Sequence, residues 1–481
     1  MARSQMTRTA LSLAVAGIFA GGVSQAHASA FALIEQNVSG LGNAYAGAAA
    51  VAEDASTVYY NPAGMSALPA GKQIVVGAAL IQPSFKFSDG GSLQSGLFAT
   101  LGGAVPGVTA PLGGNGGDAG SNAAVPNFYF VMDLAKDTKF GLGVGAPFGL
   151  KTEYSPDWVG RFQAIKSDIK SLNVNPSLSI DIGGGNSMGF GLNYQQIDAE
   201  FTNNVNVAAA ALGGILQTGA VPALIPPAAA IAAAAGLGEA TAVVKASDSY
   251  WGYNFGGLFQ ISPDTKLGLT YRSEISYNLS GTVNFSNVNL PGNLGSLGPT
   301  GNLIAAGVGA NLANGNVNVR ITVPESLSAA LKHRLDDKWT LLGDATFTAW
   351  SRIQALRIVR DNGTVLSNTP ENFRDTWRLG AGATYRHSDA LSLKMGVAYD
   401  QTPVNDTDRT ARLPDQSRKW LAFGGQYRLS KDGTLDVGYA HLFVKDPSIN
   451  QNGGNATLNG QLVGSYKSSV GIFGAQFLYR F

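Results

Sequence analysis

The chain ends in VGIFGAQFLYRF, Val470–Phe481. Taken at a period of two, Gly471, Phe473, Ala475, Phe477, Tyr479 and Phe481 fall on one face, and Val470, Ile472, Gly474, Gln476, Leu478 and Arg480 on the other. Such a run is a strand with one apolar side that finishes in aromatic rings and a second side that is mostly small or polar. A soluble sandwich alternates too. Two details favour a membrane barrel: rings close the apolar face, where a lipid–water boundary collects them, and the sequence stops on the strand itself.

Working upstream, the pattern recurs. Leu391, Leu393, Met395, Val397 and Tyr399 alternate with Ser392, Lys394, Gly396, Ala398 and Asp400, and Leu435, Val437, Tyr439 and Phe443 oppose Asp436, Gly438 and Ala440. Short polar turns at Lys136–Lys139, Gly183–Ser187, Ser262–Thr265, Asp336–Lys338, His387–Ala390 and Lys431–Thr434 each separate two alternating runs, which makes six hairpins. With an opening strand near Gln73–Phe87 and the closing strand near Lys467–Phe481, the count is fourteen. An even number puts both barrel ends on the short-turn, periplasmic side, so the seven longer connections should face outward. The fold expected is all-β, a 14-stranded antiparallel transmembrane β-barrel over residues 73–481.

Composition agrees with this. Charged residues are 14% of the 481, against about 25% in an ordinary soluble protein. A formal net charge of +1 without a basic cluster argues against a nucleic-acid partner. The absence of cysteine excludes disulfides, thiolate metal sites and cysteine nucleophiles. The most apolar stretch, Val207–Gly238, is broken by Pro222, Pro226 and Pro227 and falls short of the roughly 20 residues a spanning helix needs. Strands in a closed barrel are then the remaining way to cross a bilayer with every backbone group paired.

Residues 1–28 are expected to be a signal peptide: Arg3 and Arg8, an apolar run Leu11–Val23, and an Ala26-His27-Ala28 cleavage site that leaves Ser29 first. Export to the outer membrane of a Gram-negative bacterium follows, with outer-membrane lipid and lipopolysaccharide as surroundings. Residues 29–72 show no sustained alternation and carry Glu53-Asp54 and the turn-forming Asn61-Pro62. A fourteen-strand bore is too wide to be filled by its own side chains, so this segment is expected to be an N-terminal hatch inside it.

Gly185-Asn186-Ser187-Met188-Gly189 matches the G-x-S-x-G pattern of hydrolases, yet that elbow joins a strand to a helix and here lies in a hairpin turn. His333, His387 and His441 suggest no triad or metal cluster. No catalysis, cofactor or metal is expected.

The sequence resembles the FadL family of outer-membrane transporters for long-chain fatty acids and other hydrophobic compounds. The matching pieces are SAFALIEQNVSGLGNAYAG from Ser29, Asn61-Pro62-Ala63, GAPFGLKTEY (Gly145–Tyr154), GRFQAIKSDIKSLNVNPSLSI (Gly160–Ile180), LTYRSE (Leu269–Glu274), LPDQSRKWLAFG (Leu413–Gly424), LDVGYAHLFVKD (Leu435–Asp446) and the terminal Phe481. The resemblance implies passive import of a hydrophobic molecule, a long-chain fatty acid or an aromatic or aliphatic hydrocarbon. Its path would run from an apolar groove among outer loops to a pocket inside the barrel, and then sideways through a gap in the wall. It implies that Phe31 enters the pocket, with ordinary structural packing as the alternative, that Asn61, Pro62 and Ala63, packed near the gap, relay its movement, and that the third strand, with Gly141, Gly143, Gly145 and Pro147, forms the gap. Small lumen-facing residues would explain the same glycines. Arg357 is the headgroup candidate by the same resemblance, with solvation at the surface as the alternative. Leu212, Ile215, Leu216, Leu224 and Ile225 would line the outer groove or merely pack the loops together. The terminal Phe481 resembles the signal read by the barrel-assembly machinery, and a monomer is expected. A surface adhesion barrel is the reading from another class.

Overall fold

The computed structural model describes residues 30–93, 113–211, 238–288, 298–451 and 459–481. The signal segment and the five outer-groove candidates, Leu212, Ile215, Leu216, Leu224 and Ile225, lie outside the described residues.

Twenty strands form one antiparallel sheet. The first seven are β1 (Lys72–Asp89), β2 (Ala123–Ala135), β3 (Thr138–Gly145), β4 (Gly149–Glu153), β5 (Lys166–Gly183), β6 (Asn186–Asn206) and β7 (Glu239–Ser262). There follow β8 (Thr265–Arg272), β9 (Ile275–Ser286), β10 (Gly315–Val323), β11 (Ser326–Arg334), β12 (Trp339–Thr348), β13 (Ala355–Arg360) and β14 (Val365–Pro370). The last six are β15 (Thr376–Arg386), β16 (Leu391–Asp400), β17 (Arg418–Arg428), β18 (Gly433–Val444), β19 (Ser448–Gln451) and β20 (Leu462–Arg480). Several are halves of one interrupted wall strand: β3 with β4, β8 with β9, and β10 with β11. Both β3 and β4 pair with β5, and β7 pairs with β8 and then β9. β1 closes on β20 from Gln73 opposite Arg480 to Asp89 opposite Gly464. The wall is a closed barrel of fourteen strands, and all six short turns fall between the strands expected to flank them.

The alternation has the cause read from sequence. Leu178, Phe190, Phe255, Met395, Val397, Phe423 and Phe473 are exposed on the outer face, where lipid rather than water covers them. Rings mark both edges. Trp339 faces Tyr385 near the short turns, and eight residues along β12 Phe347 faces Trp377. That separation is about 26 Å along a strand, or about 20 Å after the usual tilt, comparable to the apolar band of an outer membrane. No helix among the described residues is long and apolar enough to cross a membrane.

The outward connections hold more strand than the sequence suggested. β6 and β7 continue beyond the aromatic edge until Asn206 faces Glu239. Above the membrane the outer face meets water, so Asp198, Glu200 and Lys245 stand where leucines would be needed lower down, and the alternation that betrays a strand disappears.

Residues 30–71 run inside the barrel as short turns and helices: Leu41–Asn43, Ala48–Val51, Thr57–Tyr60 and Pro62–Ala67. Wall glycines make room for them. A Cβ at Gly424 would come within 2.8 Å of Gly42, and one at Gly396 within 2.1 Å of Asn43. Charge ties the segment down on the β16–β20 side. Lys394 Nζ donates to Glu53 Oε2 (2.6 Å) and Ser39 O (2.9 Å) and lies 3.7 Å from Asp436, while Gln476 bridges Val38 N and Asp54.

Candidate ligand-binding site

Phe31 is almost wholly buried, with its ring against Trp350 (centroids 5.0 Å apart) and Phe148 (5.8 Å). Above this trio lies a cavity of about 380 Å³ whose apolar lining includes Phe31, Leu150, Ile169, Phe201 and Ile353. Arg320, Arg357, Arg412 and Glu371 also line it. Arg357, on β13, is exposed and has no ion-pair partner among the described residues. Arg412 is held by Lys166 O, Ser167 Oγ and Asn203 Oδ1 and lies over the Phe201 ring. Burial raises the Glu371 carboxyl to about 8, against the opposing pull of Arg412. Among the described residues, the charged groups on this lining that are free of an acidic partner at neutral pH are therefore guanidinium groups. The lining offers apolar surface to an alkyl chain and guanidinium groups to an anion.

Phe148 belongs to a break in the wall. β3 leaves β5 at Gly145 opposite Asn173, and β4 rejoins it at Gly149 opposite Lys170. Three residues, Ala146, Pro147 and Phe148, thus face two, Ser171 and Leu172: a bulge of one residue. A bulge reverses which side chains point inward. Below it Gly141, Gly143 and Gly145 face the lumen, and beyond it Phe148 and Leu150 do. On the opposite side the ladder between the second and third wall strands stops at Phe128–Val144 and resumes at the Gly120–Thr152 bridge.

The leading segment caps this break. Leu33 N donates to Pro147 O, Gly149 N to Phe31 O, and Gln36 Nε2 to Ala146 O, each at 2.8 Å, while Phe148 N is taken by Ser171 Oγ. Pairing with residues 31–36 replaces pairing with the neighbouring strand. The three glycines do not break the ladder themselves, since all are paired to β2 or β5. They give space to the segment: a Cβ at Gly141 would lie 2.4 Å from Met65 Sδ, and one at Gly145 2.5 Å from Gln36 Oε1. The interruption itself lies at Pro147.

Asn61, Pro62 and Ala63 are docked elsewhere. Asn61 Nδ2 donates to Ala49 O and Gly257 O, and Ala63 O accepts from Ser179 Oγ and Ser187 Oγ. Their hydrogen bonds go to β5, β6 and β7 near the short turns, whereas those of the break go to Phe31–Gln36. Ser187, the serine of the hydrolase-like pattern, is spent on Ala63 in a strand–turn–strand hairpin. Sequence reasoning missed Gln36, Arg320, Glu371 and Arg412. Arg412 directly precedes the quoted LPDQSRKWLAFG, but its partners lie about 200 residues or more away.

A fourteen-strand lipid-facing barrel with an internal segment and an apolar cavity beside a wall break defines a transport barrel of the bacterial outer membrane. The profile of the outer membrane protein transport protein family (OMPP1/FadL/TodX) matches residues 20–481, and the chain belongs to that family. It is 29% identical over 482 residues to a long-chain fatty acid transport protein of Escherichia coli, covering 100% of this chain and 99% of the relative. A crystal structure of a Pseudomonas aeruginosa FadL homologue superposes with a TM-score of 0.80 at 24% identity, covering 94% of this chain and 100% of that one. The Pseudomonas putida toluene transporter TodX shares the fold at a TM-score of 0.61 and 17% identity, covering 89% and 94%.

Proposed function

We propose that this protein imports hydrophobic molecules across the outer membrane, chiefly long-chain fatty acids, by passive transfer. Cargo collects in an apolar groove among the outer loops, moves to the cavity around Phe31 and leaves sideways at Ala146–Phe148. The observation that carries the reading is the bulge whose backbone groups are capped by residues 31–36, so that a segment from outside the sheet stands where a wall strand would seal it. Arg357 takes the acidic headgroup. Occupancy displaces Phe31, and Asn61–Pro62–Ala63 relays the movement to β5–β7, to which its hydrogen bonds go.

A lateral exit also makes physical sense. Each methylene released into water would lose about 0.8 kcal/mol of burial, and a route from pocket to bilayer avoids that exposure. Hydrocarbon uptake is the second reading, favoured by the apolar residues of the cavity lining and by the relative named as a toluene transporter.

Uptake of labelled oleate by a strain lacking its own fatty-acid transporter, with and without this gene, tests the proposal. Uptake that rises with the gene and saturates supports it. Equal uptake at normal surface levels of the barrel contradicts it and leaves adhesion as the better account. Toluene as a competitor distinguishes the two cargo classes.

A further inference from the structure

Beneath Phe31, Phe148 and Trp350 lies a second cavity of about 170 Å³, with a different lining. One side is formed by Ala32, Leu33, Pro147 and Phe148, the leading segment and the wall break themselves. The other side carries hydroxyl groups from the interior faces of β8, β11 and β12, and the guanidinium of Arg272.

Arg272 donates to Asn193 Oδ1 (2.5 Å) and to Tyr59 O (2.8 Å) and lies 4.3 Å from the centre of the Tyr59 ring. All three partners are neutral. The other ionised side chains on this lining are matched: Arg378 with Asp344 at 3.3 Å, and Asp400 with Arg418 at 3.7 Å. Among the described residues Arg272 is the cation on this lining without a counter-ion. A guanidinium held away from bulk water without an anion is costly, and its planar fork matches a carboxylate.

We propose that this lower cavity is a second ligand station, in which Arg272 binds the carboxylate of an acidic amphiphile that has passed Phe31. The station rests on the import reading above and adds to it a preference for acids over neutral hydrocarbons. Because Pro147 and Phe148 line the same cavity, a headgroup held there sits at the wall break, with the alkyl chain able to enter the bilayer while the charge is still neutralised. Arg272 thus gives acids a step that hydrocarbons do not need.

The test uses the purified full-length barrel in detergent, with oleate labelled at the carboxyl carbon and hexadecane as neutral probe. In the unchanged protein the bound carboxyl, followed by carbon NMR across pH, should titrate below free oleate in the same detergent. R272Q should return that titration to or above the free value and weaken oleate binding about tenfold or more, with hexadecane binding unchanged. R272K, which keeps the charge and loses the fork, should keep the lowered titration and lose about threefold in affinity. An R272Q carboxyl that still titrates low overturns the station, as does an equal loss of oleate and hexadecane, which would make Arg272 a structural tie to Tyr59. Should R272Q not assemble, R272K reports instead, and a carboxyl titration there at the free value counts against the proposal. Unchanged protein that binds hexadecane but not oleate overturns the station together with the fatty-acid part of the import reading, and binding of neither overturns that reading whole, whereas oleate binding that R272Q leaves unaltered overturns the station alone.

Discussion

Glu371 is 6% exposed, and its Oε2 has no hydrogen-bond partner. With its carboxyl raised to about 8 by burial, it is mostly protonated at neutral pH and leaves Arg320, Arg357 and Arg412 uncancelled around the upper cavity. Raising the pH through 8 ionises it, and the new negative charge opposes an acid headgroup. Oleate affinity, measured by tryptophan fluorescence, should therefore fall several-fold between pH 7 and pH 9, while hexadecane affinity stays level. E371Q should flatten the oleate curve, and an unchanged slope in that variant would remove Glu371 from the account. At this scale the family resemblance singled out Phe31 and Arg357, and both line the upper cavity. Gln36, Glu371 and Arg412 could not be found that way, because each acquires its environment from strands or loops far along the chain.

Elements show the opposite balance. The strand count and the six short turns were legible, since lipid on one side and a packed lumen on the other force a period of two that a single chain records. Above the aromatic edge that force disappears, and the ends of β6 and β7 disappear from the sequence pattern with it. The bulge was half legible. Pro147 lies at the interruption, and Gly141, Gly143 and Gly145 are the small lumen-facing residues of the alternative reading, but the one-residue excess is set by registration against β5, which no local pattern records. The anchoring of residues 30–71 is also a matter between elements, and Lys394 is its charged centre. K394M leaves Asp436 buried and Glu53 half-buried without their cation, a loss of up to about 3–5 kcal/mol by the usual cost of breaking a buried pair. In planar bilayers the unchanged barrel should show no steady large conductance, and K394M should show bursts of ion current as the segment loosens. Identical traces at equal insertion would mean that Lys394 does not hold the segment.

For the whole molecule, the barrel presents apolar side chains to lipid, a polar and charged tie between segment and wall inside, and one bulge where the third wall strand takes its hydrogen bonds from the leading segment. The lateral transfer proposed at that bulge would need no continuous water-filled bore. Deleting Pro147 tests this most directly, because removing one residue lets Gly145 run on to Gly149 in register with β5 and lets the neighbouring ladder close. Lateral exit predicts that the deletion variant, at normal levels in the outer membrane and still binding oleate, loses at least about tenfold in oleate uptake. Uptake equal to that of the unchanged protein, with the wall shown to be continuous, would contradict it.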